Sequence, residues 1–285
     1  MTIENLTVLG TGVLGSQIAY QAAYAGFHVT AWDISDDAVT AAGTRFQQLA
    51  DTYESDVEGA TYANKARHTA TSITLTTDLT TALAEADLVI EAVPEDPSIK
   101  RDTWTRVGGS APEHTIFATN SSTLLPSSLK DFTGRPEKFL AIHFANHIWA
   151  QNTAEIMGTS DTDHAVFQTA VDFAERMGMV PVELKKEKAG YVLNSLLVPL
   201  LDAAAELLVG GYADIETVDK TWRIGTGAPL GPFQIFDIVG LTTARNIAAA
   251  SESPIQQQFA DYLKTNYIDK GKLGTSTGEG FYTYT

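Results

Sequence analysis

The chain has 285 residues, enough for one large core or two domains, and its 44% hydrophobic and 19% charged residues fit an ordinary globular protein. A formal net charge of −16 argues against nucleic acid and anionic membrane surfaces as partners. The absence of cysteine excludes disulfides, zinc–thiolate sites and thiol nucleophiles.

The opening Met1-Thr2-Ile3-Glu4-Asn5 has no basic region and leads into an apolar run, unlike a signal peptide, so the cytoplasm is the expected location. Leu6–Leu9 reads as a strand that delivers the chain to Gly10-Thr11-Gly12-Val13-Leu14-Gly15. In this G-x-G-x-x-G spacing the first glycine permits a tight turn, the second lets a pyrophosphate approach the backbone, and the third lets helix and strand pack closely. A helix over about Val13–Ala25 should stop at Gly26, and its N-terminal N–H groups suit phosphate. The next apolar run, Phe27 to Trp32, ends in Asp33, where a carboxylate would accept the ribose hydroxyls of an adenosine. The bare motif is weak, since a glycine-rich loop need bind nothing; the whole strand–turn–helix–strand–acid unit is specific to a dinucleotide.

Ser35 can cap a second helix running to about Asp56, followed by a polar excursion over residues 57–71. Short strands at Ile73–Thr76 and Leu88–Val93, a helix over Asp78–Ala86, a helix over Glu95–Gly108 and a strand at Thr115–Thr119 come next. Phe139–Phe144, Ala154–Met157 and Val180–Leu184 read as strands, with a helix over Asp161–Met177. This β/α alternation predicts a Rossmann-type, doubly wound and mostly parallel sheet over residues 1–186. From 187 to 285 the periodicity is helical. Leu193, Leu196, Leu197, Leu200, Leu201, Ala204, Leu207 and Leu208 form a wide apolar stripe, with Pro199 expected to kink it. A stripe this wide suits dimerisation through an all-helical domain. Its polar members, Asn194, Asp202 and Glu206, mark it as a core helix and not a membrane span.

His143 is the one polar residue of an otherwise apolar strand, and Glu155 lies on the next one. A His–Glu pair suits reversible alcohol oxidation: the imidazole takes the hydroxyl proton and the carboxylate fixes the tautomer. A lone strand histidine is otherwise a satisfied core residue. His147 stands four residues on, but the strand composition argues against the helix that a two-histidine metal site needs, so no metal is expected. Ser122 follows a strand at the ligand-binding end of such a sheet and suits a substrate oxygen; Asn120, Ser121 and Thr123 around it are also ordinary turn formers. Asn194 is either structural or a substrate contact. Glu95 and Lys100 are placed to reach the cofactor or to form a solvated helical pair.

Taken together, Gly10/Gly12/Gly15, Asn120-Ser121-Ser122-Thr123-Leu124, Ile142-His143-Phe144-Ala145-Asn146, Glu155, Asn194, Leu230-Gly231-Pro232-Phe233, Asp237-Ile238-Val239-Gly240-Leu241 and Thr277-Gly278-Glu279-Gly280-Phe281-Tyr282 resemble the L-3-hydroxyacyl-CoA dehydrogenase (3-hydroxybutyryl-CoA dehydrogenase) family over the whole length. The resemblance implies a Rossmann domain and a helical dimerisation domain. It implies His143 as general base/acid with Glu155 as partner, and Ser122 and Asn194 on the substrate oxygen. It further implies Asn146, Glu95, Lys100 and Ser122 near the cofactor, and Asp33 on its ribose. Ile34 after Asp33, where an arginine would favour NADP, implies NAD. The implied function is NAD-dependent interconversion of a 3-hydroxyacyl and a 3-ketoacyl group in fatty acid metabolism.

Three departures stand out. The wall between His143 and Glu155 carries His147 and Trp149 where the family has prolines. The family's lysine-rich, CoA-contacting segment is replaced by one bearing Asp51, Glu54, Asp56 and Glu58, which would repel phosphates. Thr275 and Ser276 stand where the family often has lysines. A dehydrogenase of a small free hydroxy acid is therefore a second expectation, and a non-catalytic NAD(H)-binding protein a third, since fold does not fix function.

Overall fold

The computed structural model describes residues 2–284. The chain divides into two compact units between Val192 and Leu193, a short way past the expected boundary at 186. The segment up to Tyr191 stays with the first unit because the Tyr191 hydroxyl donates to the Ser121 carbonyl at 2.8 Å and Val192 N donates to Glu155 Oε1 at 2.8 Å.

The first unit is an eight-stranded sheet of β1 (Asn5–Leu9), β2 (His28–Trp32), β3 (Thr74–Thr76), β4 (Leu88–Glu91), β5 (Ile116–Thr119), β6 (Phe139–Phe144), β7 (Thr153–Gly158) and β8 (Val180–Leu184), in the spatial order β3-β2-β1-β4-β5-β6-β7-β8. The strands from β3 to β6 are parallel, and β7 runs antiparallel to β6. Strand order reverses between β1 and β4, so a crevice opens beyond their carboxyl ends, the usual ligand position in this topology.

Helices cover both faces: α1 (Val13–Tyr24), α2 (Asp36–Asp56), α3 (Lys65–Ser72), α4 (Leu79–Leu83), α5 (Pro97–Ser110) and α6 (His164–Arg176). Their starts follow from capping. Ser35 Oγ accepts from Ala38 N, and Asp78 and Asp96 cap α4 and α5. The excursion expected over 57–71 in fact contains α3. Ala66, Thr69 and Ala70 bury one face of it, and Arg67 on the other pairs with Asp51 and Glu54 of α2. This pairing lies beyond the reach of a local periodicity.

Strand side chains alternate between two apolar layers. Leu88, Ile90, Ile116, Ala118, Leu140, Ile142, Phe144, Ala154 and Ile156 belong to one, and Val89, Phe117 and Phe139 to the other. By that period of two, Glu91, Thr119, His143 and Glu155 all lie on the second face, at the ends of their strands or beside them. Polar chemistry is thereby confined to one face and one edge of an apolar sheet.

The second unit is helical: α7 (Leu193–Val209), which runs through Pro199, α8 (Ile215–Thr226), α9 (Pro232–Val239), α10 (Leu241–Ala250) and α11 (Pro254–Asn266). Phe233, Phe236, Leu241, Phe259 and Leu263 form its core. The buried Asp237 carboxylate accepts from Phe281 N, Tyr282 N and the Tyr284 hydroxyl at 2.8–2.9 Å, and so ties down the C-terminal segment. A Cβ on Gly280 would stand 2.0 Å from Asp237 Oδ1, which accounts for the glycine in that segment. No helix among the described residues is long and apolar enough to cross a membrane.

Candidate active site

The glycine loop leaves β1 at Gly10, whose φ of +90° and close approach to Ala92 O allow no side chain. A Cβ on Gly15 would lie 1.9 Å from Gly10 O, so loop and helix are in direct backbone contact. A Cβ on Gly12 would meet nothing within 4 Å, and α1 has no side-chain cap at Gly12. Open space before an uncapped helix N-terminus fits a pyrophosphate. Thr11 is buried, Leu14 half-buried, and Val13 is exposed at the mouth.

Asp33 lies at the end of β2. Its Oδ2 accepts from Thr11 N at 2.7 Å and Thr11 Oγ1 at 2.6 Å, and its Oδ1 accepts from Ile34 N at 2.7 Å. The acid and the loop are one hydrogen-bonded unit, and Oδ1, which accepts one bond, keeps lone-pair capacity for a ribose hydroxyl. The residues present fit a dinucleotide.

At the other side of the crevice, β6 and β7 pair in a register that sets His143 opposite Glu155. His143 Nδ1 lies 3.0 Å from Glu155 Oε2, and His143 Nε2 lies 3.0 Å from Ser122 Oγ. Both members of the pair are buried. The carboxylate accepts the Nδ1 proton, which leaves Nε2 as the acceptor that faces Ser122. Asn120, read as a turn former, is a brace: its Oδ1 accepts from Phe144 N at 3.0 Å, tying the loop after β5 to β6. Gln17 of α1 accepts from His147 N at 2.8 Å, so the glycine-loop helix also holds the turn that bears Asn146. That turn passes through left-handed backbone at His147, and Asn146 is exposed.

Lys100 and Glu95 are not a solvated helical pair. Lys100 is 1% exposed, with Nζ 2.6 Å from Glu91 Oε1 and 3.2 Å from Glu95 Oε2. Glu91 also accepts from Thr119 Oγ1 and Val93 N, and burial pushes its carboxyl up against these donors and Lys100. Glu95 accepts from Thr123 N, Thr123 Oγ1 and the Ser121 hydroxyl. Burial would raise the Glu95 carboxyl, but the Ser121 hydrogen bond, Lys100 and Thr123 outweigh it and hold it at about 2. The network from Glu91 through Lys100 and Glu95 therefore grips the loop on both sides of Ser122. Glu91 carried a signal in the sequence, as an acid ending an apolar strand; Tyr191, which stacks on His143, carried none.

The structure thus brings Ser122, His143 and Glu155 together. Asn194 is half-buried in the first turn of α7, in the second unit. Trp149 packs beside Tyr53 of α2 at 5.8 Å between ring centroids and donates to Asp56 Oδ2 at 3.2 Å; His147 is exposed beside it. The cations of α3 are engaged, Arg67 by Asp51 and Glu54, and Lys65 over the Tyr24 ring at 3.8 Å.

Residues 5–188 match the NAD-binding domain of 3-hydroxyacyl-CoA dehydrogenase and residues 190–284 its C-terminal domain. The human mitochondrial hydroxyacyl-coenzyme A dehydrogenase is 32% identical, over 99% of this chain and 91% of its own length. The 3-hydroxybutyryl-CoA dehydrogenase of Mycobacterium tuberculosis is 30% identical over 99% of both chains. A solved structure of a diketoreductase, described by its substrate-directed dual catalysis of dicarbonyl compounds, is 65% identical over the full length of both chains, with a TM-score of 0.96.

Proposed function

We propose that this chain, which belongs to the 3-hydroxyacyl-CoA dehydrogenase family and uses NAD, interconverts a 3-hydroxyacyl and a 3-ketoacyl group with His143 and Glu155 as its acid/base pair. The observation that carries this reading is the unbroken line Ser122 Oγ–His143 Nε2 and His143 Nδ1–Glu155 Oε2, each step 3.0 Å. Held at the glycine loop, the oxidised cofactor would supply a hydride acceptor for the carbinol carbon and the reduced cofactor a hydride donor for the carbonyl. His143 Nε2 accepts the hydroxyl proton as the carbonyl forms, and Glu155 stabilises the imidazolium. In the reverse direction the same proton goes back to the oxygen. Ser122 holds that oxygen. Gly10, Thr11, Gly12, Val13, Leu14 and Gly15 receive the pyrophosphate, and Asp33 the ribose. Asn146, Ser122 and Glu95 would contact the nicotinamide half of the cofactor, and Lys100 pairs with Glu95.

A second reading drops the CoA. It is favoured by Asp51, Glu54 and Asp56 on α2, by the engagement of Lys65 and Arg67, and by the likeness to the diketoreductase. A polyphosphate handle would meet like charge on that side. The test follows NADH absorbance with acetoacetyl-CoA, free acetoacetate and a CoA-free β-diketone ester. Acetoacetyl-CoA turned over no faster than the free compounds removes CoA from the substrate. No oxidation of NADH with any of the three removes the function.

A homodimer through the second unit belongs to the same reading, supported by the exposed Leu196, Ile224 and Ile247. Light scattering that returns a monomer mass rejects it.

A further inference from the structure

We propose that Tyr191 is a positioning residue for the acid/base chemistry, its ring fixing the His143 imidazole and its hydroxyl fixing the backbone that presents Ser122; this rests on the reading of His143 given above. Three contacts of one short segment carry it. The Tyr191 ring lies parallel to the imidazole, 4.4 Å between centroids and 11° between planes. Its hydroxyl donates to the carbonyl of Ser121, the residue before Ser122, at 2.8 Å. The next backbone N–H, from Val192, donates to Glu155 Oε1 at 2.8 Å, on the opposite carboxylate oxygen from His143. Residues 191–192 thereby touch His143, Glu155 and the support of Ser122 at once.

The backbone has been bent to do this. Tyr191 has φ +51°, left-handed space that a bulky aromatic residue rarely enters, directly after Gly190 at φ +81°. Such a conformation persists only where its surroundings enforce it. The ring is 1% exposed and packs with Ala141 and Met157, so it also closes one face of the imidazole to water. The ring face stands against the imidazole that receives the proton in the proposed reaction, and an aromatic face attracts a cation. The charged groups around this stack are Glu155 from β7, with Glu91 and Glu95 beyond it and Lys100 paired to both. Burial, and after it these carboxylates, push the phenol up, so it stays a donor across the working pH range.

The test compares Tyr191→Phe, Tyr191→Leu and His143→Ala in steady-state kinetics and pH profiles. Tyr191→Phe keeps the stack and loses one hydrogen bond, so kcat should fall about fivefold with the profile unmoved. Tyr191→Leu loses both; kcat should fall further and the apparent pKa of the kcat profile should drop by about one unit. The KM for NADH should stay within about twofold of the parent in both, since neither change touches the glycine loop or Asp33, which hold the pyrophosphate and ribose in the proposed binding mode. Equal losses in the two variants with an unmoved profile, or no loss in either, overturn the proposal. Should Tyr191→Leu fail to fold, Tyr191→Phe decides: an unchanged kcat overturns it, and the fivefold fall at constant KM for NADH supports it. His143→Ala separates the layers. If it still turns over, the acid/base reading falls and this inference with it. If it is inactive while the Tyr191 variants match the parent, only this inference is lost.

Discussion

Lys100 Nζ sits 2.6 Å from Glu91 Oε1 with both side chains closed to solvent, at the point where β4 gives way to the loop beneath the candidate cofactor site. Removing one partner of a buried pair leaves the other charge uncompensated, at about 3–5 kcal/mol. Lys100→Met should therefore lower stability by that order in urea unfolding, and adding Glu91→Gln should recover part of it. If Lys100→Met instead leaves the unfolding midpoint in place and weakens NADH binding, the lysine acts on the cofactor and not on the fold.

Glu95 gives a dependence on pH with a definite sign. Its folded carboxyl is held at about 2, below its ordinary 4.5. A depressed carboxyl stabilises the native state fully above its ordinary value and loses that contribution as pH falls toward the folded one. The gap in urea midpoint between the parent and Glu95→Gln should be constant from about pH 7 to about pH 5 and narrow below that. A gap that does not change in acid would mean that Glu95 is not held ionised by Lys100, Ser121 and Thr123. The same variant loosens the loop around Ser122, so its kcat should fall.

In the proposed reaction His143 and Glu155 act differently on the proton. His143→Ala removes its acceptor, and turnover should be nearly abolished with NADH binding largely kept. Glu155→Gln retains the shape but not the charge that holds the Nδ1 proton; a fall in kcat of about a hundredfold to ten-thousandfold is expected. A near-normal rate in either variant rejects the assignment.

The glycine spacing, Asp33, the strand carrying His143 and the helical second half were legible because each is written in local periodicity or in one residue's special geometry. The His143–Glu155 contact was legible only as two residues on successive strands. The antiparallel register that joins them is a property of the sheet. What stayed hidden depends on contacts distant in the chain. Lys100 read as a cofactor contact or half of a solvated helical pair, and its buried partner was missed because Glu91, nine residues away, reads as a strand residue. α3 looked like an excursion because its packing partners lie on α1 and α2. Tyr191 was invisible because a left-handed tyrosine over a histidine 48 positions earlier has no pattern in the sequence.

Asp33 has two jobs that substitution can separate. Its carboxylate receives Thr11 N and Oγ1 as well as Ile34 N, so it shapes the glycine loop, and in the proposed binding mode it also accepts a ribose hydroxyl. Loss of hydrogen bonds to a charged group is worth about 1.5–3 kcal/mol, so Asp33→Ala should weaken NADH binding by about tenfold to a hundredfold in a fluorescence titration. Thr11→Val removes one loop contact and leaves the carboxylate in place; about fivefold is expected. NADPH tells the two jobs apart. Its ribose phosphate is repelled by Asp33, so Asp33→Ala should weaken NADPH far less than NADH, whereas Thr11→Val should weaken both alike. Equal losses for the two cofactors in Asp33→Ala would assign Asp33 to the loop alone.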